Sequence, residues 1–300
     1  MQLENKKNFY AKGCEDLKIV KKIISYLLGF VLALLIIVQT ILVCTYSNLL
    51  NEVNIQIQLK NTSYYYNIYS IIENTAKDFV MQSGFNEIVL DGVITESRVQ
   101  NDLNSVINCV YNNKKIEINT NEIKEILHKN IKKQIEIKNY EVDKKTQAEI
   151  NEFEESIIKE YKANMFYSED VINVTAKYLQ KVRQIVLIAI IVMFIIIIVL
   201  SIIVFKLNKP SLGISFIIAG VFSIVLKICS GVGVAINNIL LLNWAFSKTL
   251  IYIFNNLVRQ IYTTGIILTI LGVVIIIFCE YEINKKIYKN KKKIRDSDGE

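Results

Sequence analysis

The feature that most constrains this chain is a set of long stretches without a charged side chain. Between Lys22 and Glu52 lie 29 uncharged residues, between Arg183 and Lys206 another 22, and between Arg259 and Glu280 another 20. A further apolar run, Ser211 to Ile236, is interrupted only by Lys227. About 20 apolar residues suffice to cross a bilayer core, and a helix of that length satisfies its own backbone groups in hydrocarbon. Four transmembrane helices are therefore expected, over 23–45, 183–205, 211–236 and 263–280. A cleavable signal peptide is the competing reading of the first run, with Lys18, Lys21 and Lys22 as its basic region. That run far exceeds the roughly 7–15 apolar residues of such a peptide, and Cys44-Thr45-Tyr46 is not a small-x-small cleavage site.

Charge then sets the expected orientation, because Lys and Arg on short flanks resist translocation. The tail over 1–22 carries six Lys against three acids, the loop over 206–210 two Lys and no acid, and the tail over 281–300 is basic. All three are expected on the cytoplasmic side of the membrane. Residues 46–182, with 16 basic and 20 acidic side chains, are then extracytoplasmic. That uneven distribution excludes a nucleic-acid binder with one broad basic face. The remaining segment, 237–262, repeats Ile239, Leu242, Phe246, Leu250, Ile253, Leu257 and Ile261 at helical steps, opposite Ser247, Lys248, Asn255 and Arg259. It reads as an amphipathic helix in the interface, anchored by Trp244, Tyr252 and Arg259. A fifth span is the alternative, and it would export the Lys-rich C-terminal tail.

Residues 46–182 are long enough for one domain, and their periodicity is helical almost throughout. Tyr65, Ile68, Ile72, Ala76 and Phe79 form one stripe, closed by Ser83-Gly84. Val99, Leu103, Val106, Ile107 and Val110 form a second, opened by Thr95. A third begins at Asn119 with Glu122 in capping-box spacing and runs through Ile123, Leu127, Ile131 and Ile135. A fourth carries Ile150, Phe153, Ile157 and Tyr161. A fifth starts near Ser168-Glu169-Asp170 and enters the second span without a breaker. Ser47–Leu59 likewise leaves the first span without one, although Val53, Ile55, Ile57 and Leu59 alternate as in a strand. The expected class is an all-α integral membrane protein with a helical-bundle domain between its first and second spans.

Catalytic chemistry leaves few marks. There is no GxxxxGK[ST], GxGxxG or HExxH motif. The one His, His128, sits on a charged helix and is expected to be solvated, without a metal set. Cys109 reads as a small core hydrophobe, and the five Cys are too dispersed for a local CxxC site or disulfide framework. Glu149, Glu152, Glu154 and Glu155 lack the spacing of an EF-hand loop and read as a solvated face. No catalytic residue, cofactor or metal is assigned. Within the spans, Lys227 is the ionisable residue of interest, placed near enough to one surface to snorkel. Ser211, Ser215, Ala219 and Ser223 lead to it at four-residue steps, with Gly231 beyond. Such small residues let helices approach closely, so the third span is expected to pack against the fourth, through Gly265 and Gly272, or against a second protomer. The second span is expected to face lipid.

The run Gly84-Phe85, Val89-Leu90-Asp91, Ile94-Thr95, Val99 and Asp102-Leu103-Asn104 resembles a stretch of uncharacterised four-pass membrane proteins of Gram-positive bacteria. The resemblance implies a bacterial plasma membrane and a domain facing the wall, and it lends no activity. Over 23–205 the architecture is similar to the ligand-binding bundles of chemoreceptors and sensor kinases, with no shared motif and no HAMP-like segment after the second span. Three functions compete. One is a non-catalytic protein that senses a ligand or docks a protein partner through its outer bundle. Another is a transporter or channel subunit using Lys227, although no span carries Asp, Glu or His. The third is an interface-acting lipid or wall enzyme, for which 237–262 supplies groups that bind but make poor acids and bases.

Overall fold

The computed structural model describes residues 2–116, 118–165, 169–230 and 244–297. Nine α-helices are seen among them: α1 Gln2–Leu49, α2 Glu52–Asn61, α3 Tyr64–Ser83, α4 Glu96–Asn112, α5 Asn121–Lys138, α6 Lys144–Met165, α7 Glu169–Leu207, α8 Lys209–Ser230 and α9 Trp244–Ser297. A 3-10 turn at Glu87–Leu90 precedes α4, and the described residues contain no strand. Four segments are long and apolar enough to cross a membrane, namely Ile19–Leu49, Ile172–Leu207, Lys209–Ser230 and Trp244–Lys289. The chain divides into two compact units, one of Met1–Ser47, Val186–Asn238 and Phe254–Glu300, the other of Asn48–Ile185 and Ile239–Ile253.

In the second unit, α3 is the central rod. Its Ile68, Ile72, Ala76 and Val80 recur every four residues and are buried against α4 and α6. Leu127 and Ile131 of α5 and Ile157 and Tyr161 of α6 complete the core. The stripes thus lie where helical periodicity puts them, with Val80 taking the innermost place expected for Phe79. Polar bonds fix the helices at their edges. The Tyr65 hydroxyl donates to Asn104 Oδ1 at 2.6 Å, and that of Tyr161 to Asp102 Oδ2 at 2.5 Å. The Asn130 amide donates to the carbonyls of Val89 and Asp91 at 3.1 and 2.9 Å, pinning the 3-10 turn against α5. Gly84 ends α3 with φ +75°, a left-handed cap that suits a residue without Cβ.

Several helix ends differ from the sequence expectation. The strand-like stretch 53–59 is helical, and a break does separate it from α1: Asn51 is extended and its side chain accepts from the Asn54 amide at 3.2 Å, starting α2. Thr95 caps α4 as expected, accepting from Arg98 N at 3.2 Å. The capping box at Asn119 and Glu122 does not form. Helix α5 starts at Asn121, Asn119 Oδ1 accepts from Asn121 N, and Glu122 reaches instead to Arg98 on α4 at 2.8 Å. A nearby guanidinium is the stronger partner for that carboxylate.

In the first unit, Leu32, Ala33, Ile36 and Ile37 of α1 pack with Val204 and Ala219. Across the most apolar window of the segment Ile172–Leu207, no residue is buried. Helix α8 is the close-packed one. A Cβ built on Gly213 would lie 2.8 Å from the Gly272 carbonyl oxygen, and one on Gly220 would lie 2.5 Å from that of Gly265. Contacts this short are open only to glycine. On its other side α8 meets α1, where a Cβ on Gly29 would lie 2.8 Å from Ser215 Oγ.

The interfacial helix expected over 237–262 is not a separate element. Residues 237–243 lie outside the described residues, and from Trp244 one helix runs to Ser297 without a break at 262. No Pro interrupts it, and Gly265 is absorbed in the close approach to α8. Its buried face differs in part: Ile253 and Ile261 are covered as expected, Ala245, Ser247 and Thr249 are covered as well, and Phe246 is 43% exposed. The Thr249 hydroxyl lies 2.9 Å from that of Thr62 and bonds the Ala245 carbonyl at the same distance. A small polar side chain that returns its proton to its own helix packs as readily as an apolar one, and periodicity of apolar residues alone misses it.

Candidate functional site

Within the helical unit, α4 brings Tyr111 back to the end where the chain comes in, its hydroxyl donating to the Leu49 carbonyl at 2.5 Å. The opposite end is where α3 stops and α5 turns into α6. Left-handed caps at Gly84 and Asn139, φ +75° and +50°, splay these ends apart. Between them opens a cleft of about 630 Å³, with Phe85, Ile150 and Phe153 among its apolar residues and Gln82, Gln134, Lys138 and Glu149 among its polar ones. The Phe85 and Phe153 rings lie 5.3 Å apart, a spacing at which aromatic pairs attract. Tyr140 and Val142 line the cleft while staying 64% and 42% exposed.

The turn into α6 is held by Asp143, whose Oδ1 accepts from both the amide and the hydroxyl of Thr146 at 2.7 Å. Those bonds keep the Asp143 carboxyl below the usual carboxylate range. Lying beside the cleft, this is a helix cap and not a base poised for catalysis. The arrangement supplies aromatic surface, amides and charges of both signs. The described residues contain no group of three or more His, Cys, Asp or Glu placed to hold a metal.

Two side chains expected to be bland are otherwise. Glu154 is not on a solvated face: it is 1% exposed, within the core side of α6. Its Oε1 lies 2.8 Å from Nδ1 of His128 on α5, a side chain that is 54% exposed. His128 is thus exposed, as expected, and is at the same time the polar partner of a buried carboxyl. Buried carboxyls need such partners; the signal in the sequence was Glu154 falling one residue after Phe153 and four after Ile150. Cys109 is only half-buried, and its thiol lies 3.4 Å from the Lys115 carbonyl.

Among the residues singled out in the spans, Ser215, Ala219 and Ser223 are all buried on α8. Ser215 and Ser223 donate to the carbonyls four residues back, of Ser211 and Ala219, at 2.8 and 2.9 Å. The sequence ridge overlooked Gly213 and Gly220, which make the closest approaches to α9. Gly231 lies outside the described residues. Lys227 is exposed, its ammonium 4.0 Å from the ring centre of Tyr262. In the helical unit, Trp244 is 62% exposed beneath the Lys248 ammonium, and the Tyr252 hydroxyl accepts from the Asn61 amide at 3.2 Å. Arg259 is exposed.

Compared with known proteins, the chain matches no family model, no curated sequence and no solved structure.

Proposed function

We propose that this is a non-catalytic multi-pass protein of a bacterial plasma membrane that senses a ligand or docks a partner outside the cell through its helical unit. The observation that carries this reading is the cleft at the end of the unit away from Leu49 and Tyr111. It combines an aromatic floor, polar groups of both signs and large apolar side chains left in solvent, a combination typical of binding sites. Exposed Tyr140 is the anchor such a site favours. The unbroken helix α7 supplies a stiff element, unlike a flexible linker, through which binding is relayed. Tails and the short loop lie in the cytoplasm, as their Lys and Arg favour.

The test is accessibility labelling in a background without native Cys, followed by photocrosslinking. Lys129→Cys should react with an impermeant maleimide on intact cells, and Tyr288→Cys only after permeabilisation. The reverse pattern overturns the orientation. A photoreactive residue at Tyr140 should then give one discrete adduct, lost on Phe153→Ala; crosslinks spread equally from Tyr140 and from Lys145 on the solvated side would remove the cleft from consideration.

A further inference from the structure

Residues 171–279 contain eight Lys and Arg and not one Asp or Glu. Among the described residues, one of these cations forms an ion pair: Lys209, 4.0 Å from Glu282. Lys227 and Arg259 form no ion pair among the described residues. The two belong to one level of the first unit. Gly220 packs on Gly265 with α8 and α9 running in opposite directions. Lys227 lies as far beyond Gly220 as Val258 lies before Gly265, so Lys227 and Arg259 share a height to within one residue's rise of about 1.5 Å.

Tyr262 stands one turn from Arg259 on the same side of α9, and its ring carries the Lys227 ammonium at 4.0 Å. The aromatic face attracts the cation without consuming its N–H donors, of which an ammonium has three. From Lys209 to Lys227 is about 27 Å of helix, close to the roughly 30 Å of a hydrocarbon core. This places the pair where chain meets headgroup. Two unneutralised cations at that depth call for an anion from the surroundings, and the bilayer provides one at the right height.

We propose that Lys227, Arg259 and Tyr262 form a binding site for the phosphodiester headgroup of an anionic phospholipid. Arg259 offers a forked set of donors to two phosphate oxygens, Lys227 a point charge held in place by the ring, and the branched side chains of α8 and α9 a wall for the acyl chains. The site depends on these helices spanning the bilayer and not on what the helical unit binds.

Native mass spectrometry tests it, on the full chain released from nanodiscs of phosphatidylcholine with or without about one part in four of phosphatidylglycerol. Phosphatidylglycerol should be retained on the protein far above its share of the bilayer. Lys227→Gln and Arg259→Gln should each lower retention about fivefold, the effect of one basic side chain at a charged membrane surface, and Lys227→Arg should restore it. Lys209→Gln, on the other level, should leave retention unchanged, which also separates loss of the site from loss of fold. Equal retention of both lipids, or glutamine variants that hold phosphatidylglycerol as well as the parent, would overturn the proposal. So would inorganic phosphate displacing the lipid at millimolar concentration, which would mark a site for free anion.

Discussion

At the scale of single residues, the pair between His128 and Glu154 shows how a polar group is tolerated in the core of the bundle. The Glu154 carboxyl is 1% exposed and meets one imidazole nitrogen at 2.8 Å. Removing the imidazole leaves a buried carboxyl without its partner, which costs about 1–3 kcal/mol. His128→Ala should therefore lower the unfolding free energy of the full chain by that amount, read from denaturant titration. Replacing both, His128→Ala with Glu154→Met, should recover most of the loss, because apolar groups of similar volume pack without a desolvation penalty. If the double variant is no more stable than the single, the pair does not work as described.

At the scale of elements, tyrosine hydroxyls tie helix to helix and make the unit sensitive to alkali. Burial, then neighbouring Tyr64, pushes the Tyr65 phenol up to about 12. Burial, opposed by Arg183 and helped by Glu52, pushes Tyr111 up to about 12 as well. Burial and the hydrogen bond to Asp102 hold the Tyr161 phenol protonated still further above its ordinary value. A group whose value is raised on folding stabilises fully below its unfolded value, about 10 for tyrosine, and that contribution is lost as pH rises through the folded value. Thermal unfolding followed by circular dichroism should thus show a Tm nearly constant from about pH 7 to 9 and falling between about 10 and 12. Tyr161→Phe should start lower and fall less steeply. A Tm unaffected up to pH 12 would count against these phenols as ties.

The same elements show what could be read from the sequence and why. The four apolar segments were legible because length and lack of charge are properties of one stretch of chain. The stripes Ile68, Ile72, Ala76 and Ile123, Leu127, Ile131 were legible because a helix repeats on itself. What stayed hidden depends on partners far away in sequence: Glu154 is buried because His128 crosses from α5, and Glu122 abandons its capping box because Arg98 lies on α4. Thr249 packs inward because its hydroxyl bonds its own backbone, a bond that hydropathy cannot register. The end cleft was not anticipated at all, since it is made by three helix ends whose convergence no local pattern encodes.

At the scale of the whole molecule, four segments are long and apolar enough to cross a membrane, and between helices in lipid hydrophobicity contributes little, so shape must do more. Gly220→Ala would place a methyl 2.5 Å from the Gly265 carbonyl. It should cost about 1–3 kcal/mol, as overpacking does, measured by unfolding in mixed micelles. Gly84→Ala, where nothing lies within 4 Å, should be felt through its left-handed backbone alone. Equal unfolding of the parent and the Gly220 variant would show that the close approach carries no weight.

Gly213 meets Gly272 and Gly220 meets Gly265, two notches at identical spacing on opposed rods. Sliding one rod by a turn would bring Leu268 or Ile276 onto Gly213 and spoil both notches together. There is no halfway setting. The two notches consequently hold α8 and α9 to one register.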